Sequence, residues 1–321
     1  MFERKDVILR ISQERSFSKA AESLYISQPS LSAMVKRLEA KIGEPLFDRS
    51  QSPIELTECG REYVRAARDI TVAEENFLTY LEEYRHHQTG SLSIGGSNLN
   101  ISYVLPPLLH RFQKAYPNIH VHITEGNIDA TMEQLDKGTI DFLVDSCTVD
   151  ANQITEYIYQ EECLILAVPK EFPCNQALEA YQLTREDILA GKQYLPQTPV
   201  VPMKYLEHLP FISLTRETDT YQRSMDIFRL QGFAPNVALS FNQQATAYNI
   251  ICAGLGMGLI SDVVVKNSLF APELHYYKSG NEECLRHIRF YKKRIKRMTA
   301  PMQAFLNLAQ ATAADPPEDP R

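Results

Sequence analysis

Between Glu58 and about Gln88 the chain runs without a proline, and Tyr63, Ala67, Ile70, Phe77, Leu81 and Tyr84 fall on a heptad seam that only Glu74 interrupts with a polar group. Roughly thirty residues at about 1.5 Å rise each make a rod of roughly 45 Å. A helix that long and that one-sided is not stable in water by itself. The chain is therefore expected to fold as separate units on either side of the rod, with residues 58–89 serving as a linker and dimerisation helix.

At 321 residues there is enough chain for two or three compact units, each with its own core. Apolar residues make up 44% and charged residues 23%, which is ordinary globular usage. No apolar run is long enough for a membrane span, and MFERKDVILR is charged too early to be a signal peptide. A cytoplasmic protein without membrane contact is the expectation. The six cysteines, Cys59, Cys147, Cys163, Cys174, Cys252 and Cys284, show no CxxC spacing, which argues against a zinc ribbon or a secreted disulfide framework. Cys163 and Cys252 lie in apolar patterns where a thiol is usually an inert core group, although a peroxide-sensing thiol pair is an alternative.

The net charge of −7 is unevenly spread. Residues 1–60 hold nine Lys or Arg and nine Asp or Glu, so the remainder carries the whole deficit. Within that neutral segment, Val7, Ile8 and Ile11, then Ala20, Ala21 and Leu24, then Leu31, Val35, Leu38 and Ile42 mark the inner faces of three amphipathic helices. Ser27 before Gln28 and Pro29 is a helix start, with a capping hydroxyl and a proline whose missing N–H costs nothing in the first turn. The third helix would expose Gln28, Ser30, Ser32, Ala33, Lys36 and Arg37. Small polar residues at its N-terminal end suit entry into a major groove, because bulk there would hold the backbone off the bases. After Gly43 as C-cap, PLFDRSQSPIELT reads as two short strands joined by a polar turn, a small wing whose Arg49 can join Lys36 and Arg37 in neutralising phosphates.

Taken in order, SFSKAAESLYISQPSLSAMVKRLEAKIGEPLFDRS and IELTECG resemble the winged helix-turn-helix of the LysR-type transcriptional regulators, with every block present and correctly spaced. The resemblance implies a DNA-binding domain over 1–57, with Ser27, Gln28, Pro29, Ser30, Ser32, Ala33, Lys36, Arg37 and Arg49 at the double-stranded operator. It also implies a homodimer or dimer of dimers that binds short inverted repeats. The chain departs from the family pattern in two places, at three positions. Ala33 and Met34 stand where many members have Arg and Gln, and Arg15 replaces a glycine frequent before Ser16-Phe17.

From residue 90 onward the pattern alternates. SLSIGG, a helix near 103–115, IHVHITEG, a helix near 128–137 and IDFLVDS form one βαβαβ run. LPFISL, a helix near 219–231, NVALSF, a helix near 243–253 and MGLIS form a second. The fold class is therefore α/β. Two doubly wound subdomains are expected within 90–305, the first over about 90–162 and 268–305 and the second over about 163–267, with ECLILAVP as a crossover strand. HYYKS and RHIRFYKK are expected to return and complete the first half. Residues 306–321 are expected to be a disordered acidic tail. GLGMG at 254–258 follows a helix and precedes a strand, the reverse of a dinucleotide fingerprint, so no nucleotide cofactor is expected. His120 and His122 share a strand face without a third ligand nearby, so no metal is expected either.

SLSIGG, LPPLLHRFQKAYPNIHVHITEG and AGLGMGLIS resemble the effector-binding region of the same family, an arrangement of periplasmic-binding-protein type. Ligands of open α/β sheets settle at the carboxyl ends of strands beside helix N-termini. The resemblance thus implies a small-molecule effector, anionic on the helix-terminus argument, at Ser97, Asn98, Asn100, Thr124, Glu125, Thr215, Thr218, Asn242, Gln243 and Gln244. Effector-driven closure would alter dimer spacing, and with it DNA bend or contact with RNA polymerase. No nucleophile, general base or metal set stands out in these segments, so an enzyme is not expected. The alternative class is a small-molecule-binding or enzymatic α/β protein with an incidental N-terminal bundle.

Overall fold

A computed structural model describes residues 1–50, 53–85, 90–147, 149–268 and 273–314. Two compact units divide the chain, one built mainly on residues 1–87 and the other on the remainder.

In the first unit, α1 (Lys5–Glu14), α2 (Phe17–Ser23) and α3 (Gln28–Ile42) precede a two-stranded wing, β1 (Phe47–Asp48) and β2 (Glu55–Leu56), and the long α4 (Glu58–Arg85). The wing pairs antiparallel with Phe47 opposite Leu56. Ser16 Oγ accepts the Lys19 N–H and Ser27 Oγ accepts the Ser30 N–H, each at 3.4 Å, which fixes where α2 and α3 begin. Gly43, at φ 92°, ends α3. Ile8, Ile11, Phe17, Ala20, Ala21, Leu31, Val35, Leu46 and Phe47 form one core.

That core also takes in Tyr63, Val64 and Ala67, so the heptad seam does not run as one interface. Its first two positions are consumed by the winged domain of the same chain: the Tyr63 ring stacks on Phe2 at 4.8 Å between centroids, and Ala67 is fully buried in that core. Glu74, the polar interruption, receives Lys5 Nζ at 2.8 Å. Beyond it Phe77 and Leu78 are 60% and 59% exposed. The Tyr84 side chain lies outside the described residues.

The second unit holds β3 (Gly90–Gly96), a π-helical turn (Asn100–Val104) leading into α5 (Leu105–Ala115), β4 (Ile119–Glu125), α6 (Ile128–Lys137), β5 (Phe142–Asp145) and β6 (Ile154–Pro169). It continues with α7 (Cys174–Ala177), α8 (Arg185–Leu189), β7 (Pro210–Leu214), α9 (Asp219–Leu230), β8 (Asn236–Phe241), α10 (Gln244–Cys252), β9 (Gly258–Ser261), α11 (Asp262–Asn267), β10 (Leu274–Lys278), β11 (Leu285–Lys293) and α12 (Ala300–Ala314). β4, β3 and β5 are parallel neighbours, and β11 joins β5 antiparallel. β6 serves both lobes. Its first part, Ile154 to Cys163, pairs with β11, and its last part, Leu164 to Pro169, pairs with β9 and β10. β7 and β8 run parallel, and a bridge from Phe211 to Met257 connects β7 to the second sheet.

Two sequence expectations are corrected. HYYKS does not complete the first half: β10 pairs with the second-lobe end of β6, where Tyr276 and Tyr277 are buried and their hydroxyls meet Tyr248 at 3.1 Å and Asn175 Oδ1 at 2.6 Å. Alternating apolar residues specify that a strand has a buried face, not which sheet takes it. Likewise 306–314 is not a disordered tail. It is the last part of α12, in which Met302, Phe305, Leu306 and Ala309 recur at helical spacing and are buried in the first-lobe core beside Phe112, Phe142 and Phe290. Residues 315–321 lie outside the described residues.

Candidate DNA-reading surface and effector cleft

On α3 the core takes Leu31 and Val35, and helical spacing then sends the intervening residues outward. Ser27, Gln28, Pro29, Ala33, Lys36 and Arg37 are exposed, while Ser30 and Ser32 are half-buried. Arg37 curls back so that its Nε donates to the Ala33 carbonyl at 3.3 Å, and the rest of its guanidinium remains outward. Arg49 lies on the wing rather than free of the fold. Its Nη2 pairs with Glu39 at 3.1 Å and its guanidinium carbon sits 5.0 Å over the Phe17 ring. Glu39 also accepts the Leu46 N–H at 2.9 Å, so one carboxylate of α3 fixes both the start of the wing and its arginine. Met34, at the position unusual for the family, is half-buried and receives Arg4 Nη1 at 3.7 Å.

The other unusual position is explained by its backbone. Arg15 has φ 48°, the left-handed region, which is why a glycine suits that site. Its carbonyl accepts the Ile54 N–H at 3.1 Å and its Nη2 pairs with Glu55 at 2.9 Å. The side chain is thus engaged with the wing. Tyr25, between α2 and α3, is also left-handed at φ 55° and is 96% exposed.

The effector candidates fall into two groups. At the carboxyl rim of the first sheet, Ser97 follows β3, and Asn100, 2% exposed, donates through Nδ2 to Ser97 Oγ at 3.0 Å and to the Val144 carbonyl at 3.1 Å. Asn98 Nδ2 donates to Glu125 at 3.2 Å, and Thr124 is half-buried one position earlier on β4. The second group serves the second lobe. Thr215 Oγ1 donates to Asn242 Oδ1 at 2.9 Å, and Thr218 caps α9 by accepting the Tyr221 N–H at 3.2 Å. Gln243 precedes α10 without a side-chain cap. Gln244 turns inward: its amide donates to Thr220 Oγ1 at 2.9 Å and accepts the Ser261 N–H at 2.8 Å, so both its ends brace the second lobe.

Sequence reasoning missed the charges that join the groups. Arg286 of β11 holds Glu162 of β6, fully buried, and Asp219 at the start of α9. Burial pushes the Glu162 carboxyl up, but the Arg286 charge outweighs it and keeps the group below its ordinary range. Asp145, at the end of β5, is half-buried, accepts the Ser146 N–H at 2.7 Å and feels Arg286, Asp219 and Glu162. Burial raises its carboxyl above the usual carboxylate range. Arg223 of α9 donates through Nη2 to the Cys284 carbonyl at 2.9 Å. Beside it Cys163 and Cys284 meet at 3.4 Å between sulfurs, and donation to Cys284, followed by burial, drives the Cys163 thiol strongly up. The only advance sign of these contacts was a charge at the head of an apolar run, Glu162 before Cys163.

A winged helix with an outward polar recognition helix, a long helix and a two-lobed α/β unit define the class: a DNA-binding regulator with a sensor region. Residues 3–61 match the family described as bacterial regulatory helix-turn-helix protein, lysR family, and residues 85–193 and 176–314 match the LysR substrate binding domain. The chain belongs to the LysR family of transcriptional regulators, with an effector-binding α/β domain.

Among relatives, the uncharacterized HTH-type transcriptional regulator YcgK of Bacillus subtilis is 31% identical, the match covering 94% of this chain and 91% of that protein. A probable RuBisCO transcriptional regulator of Cyanidioschyzon merolae is 30% identical over 81% and 82% of the two chains. In fold, the chain is similar to a full-length OxyR variant from Pseudomonas aeruginosa, at TM-score 0.66 and 17% identity, covering 100% of this chain and 99% of that one. The LysR family regulator CbnR aligns at TM-score 0.59 and 19% identity, covering 98% and 100%. Among the described residues no helix is long and apolar enough to cross a membrane.

Proposed function

We propose that the chain works in the cytoplasm as a non-catalytic, homo-oligomeric regulator that reads an operator through α3 and reports a small molecule bound between its two α/β lobes. Gln28, Ser30, Ser32 and Ala33 face base edges, and Lys36, Arg37 and Arg49 neutralise phosphates on either side. The exposed Phe77 and Leu78 supply part of the self-association face on α4. Ser97, Asn98, Asn100, Thr124 and Glu125 offer the first lobe's half of the effector site. Thr215, Thr218, Asn242 and Gln243 border the second, while Gln244 supports it. Effector binding shifts the population between lobe arrangements, and the change passes to DNA bend and to contact with RNA polymerase.

The observation that carries this reading is the Glu39 clamp, which seats the wing arginine beside a recognition helix on which Gln28, Lys36 and Arg37 are exposed. CbnR, similar in fold at TM-score 0.58, has been solved complexed with its target DNA. A mobility-shift titration of the full-length protein on DNA flanking its own gene tests the reading. A specific shift is expected, with log affinity falling linearly against log salt, and Arg37→Ala should shallow that slope by about 0.9 for each phosphate left without its counter-charge. A protein that bound this DNA no better than random duplex, with a slope indifferent to Arg37, would be a small-molecule-binding protein with an incidental bundle instead.

A further inference from the structure

The polar groups around Arg286 are unequally satisfied. Glu162 and Asp219 are both taken by that one guanidinium. What remains on the first-lobe rim is acceptor capacity. Asn98 Oδ1 and Asn100 Oδ1 are buried without a hydrogen-bond partner, and Asn100 is only 2% exposed. Both amides have their orientation set, because their nitrogens are committed to Glu125, Ser97 and the Val144 carbonyl. Asp145 sits at the same strand ends, adjoining Val144, and the one hydrogen bond to its carboxylate among the described residues is from the Ser146 N–H. On the second lobe the remainder is a donor. Arg223 uses Nη2 for the Cys284 carbonyl, whereas Nη1 is buried and unpartnered. Asp145 and Arg223 both sense Arg286, Asp219 and Glu162, so they flank one ion network.

We infer that the cleft takes a zwitterion of the α-amino-acid class, its ammonium group held by Asp145 and the Asn98 and Asn100 oxygens, its carboxylate held by Arg223. The inference rests on the effector-cleft reading above and names the ligand chemistry for it. A purely anionic ligand, which helix termini alone would favour, would meet Asp145 and Glu125 without a cation to offset them. A zwitterion satisfies the leftover groups of both lobes at once, so it bridges them and favours closure. Because an analogue lacking one charged end leaves a buried polar group unpaired, discrimination should be large.

The Asp145 carboxyl faces Arg286 on β11, Glu162 on β6 and Asp219 on α9, with Cys147 and Tyr291 also close enough to feel it. Since burial raises it, the sign of the pH effect is fixed. In the ligand-free protein its contribution to stability is present at low pH and is lost as pH rises through the folded value. The ammonium group needs the carboxylate form, so affinity rises with pH over the same window and binding releases a proton.

The test uses the full-length protein in thermal-shift titrations with the twenty proteinogenic L-amino acids. Each responder is then compared with its decarboxylated amine and its α-keto acid. At least one amino acid should raise the midpoint, with both truncated analogues on the order of 10-fold weaker or worse. Asp145→Asn should weaken the amino acid about 10-fold while sparing the α-keto acid, and Arg223→Gln should spare the amine instead. Should Asp145→Asn fail to fold, Asn98→Ala and proton release measured by calorimetry in two buffers replace it. An α-keto acid that binds as well as its amino acid overturns the amine contact and leaves the cleft reading standing. Silence from all three compound sets overturns the zwitterion inference, while the cleft reading stands or falls on the mobility-shift titration.

Discussion

The recognition face and the effector cleft are built in opposite ways. On α3 the functional row lies within ten residues of sequence, and Gln28, Ala33 and Lys36 are exposed with no hydrogen bond of their own side chains among the described residues. In the cleft the working charges come from β5, β6, α9 and β11, separated by as many as 141 positions from Asp145 to Arg286, and most are already paired inside the protein. A surface that must meet a polyanion can leave a donor such as Lys36 free, and it loses little stability by doing so. A cleft that must distinguish small molecules buries its charges, and buried charges have to be matched almost completely before a ligand arrives. What is left unmatched then carries information about the ligand.

Breaking the cleft's internal pairing should have the largest effect of any single change. Glu162→Ala would leave Arg286 mostly buried with Asp219 as its one remaining ion pair among the described residues, and such half-broken pairs typically cost about 3–5 kcal/mol. Urea unfolding of the second unit's signal should register that loss, with operator affinity of the folded fraction little altered. A loss below about 1 kcal/mol would mean that water reaches the pair and that the contrast between the two regions is overstated. On the reading side the matching change is smaller. Ser27→Ala removes the α3 cap and should cost about 1 kcal/mol, because the Ser30 N–H then turns to solvent at an exposed helix start. Its effect on DNA affinity should exceed its effect on the cleft's response to ligand, which ought to be nil.

The same contrast explains what was legible in the sequence. Ser27-Gln28-Pro29, Gly43 and the spacing of Leu31 and Val35 specify α3 through contacts within a few residues, and the exposed row follows from the helical period. β6 was read only in its last part, since the stretch before Cys163 alternates with exposed Glu156, Ile158 and Glu161 on one face and looks like surface. α12 was lost because alanine and a polar mix at 306–314 give a weak pattern, whereas its burial depends on Phe112, Phe142 and Phe290 arriving from elsewhere. Ser97, Asn98 and Asn100 were found from their place after a strand. Asp145, Arg223 and Arg286 were not, since an isolated charge in a sequence gives no sign of which other isolated charge it will face.

The smallest predicted effect lies at the joint between α2 and α3 and probes whether the turn itself is part of the reading face. Tyr25 occupies the left-handed region at φ 55° with 96% of its surface in water, so it contributes neither packing nor a comfortable backbone. A non-glycine residue there costs on the order of 1 kcal/mol, partly recovered because glycine has more freedom to lose on folding. Tyr25→Gly should therefore raise stability slightly, by about 0.5 kcal/mol, in a denaturant titration. If operator affinity is unchanged, the tyrosine is an accident of the turn. If affinity drops by several fold while stability rises, the strained residue is held out toward DNA, and the reading surface begins two positions before the cap of α3.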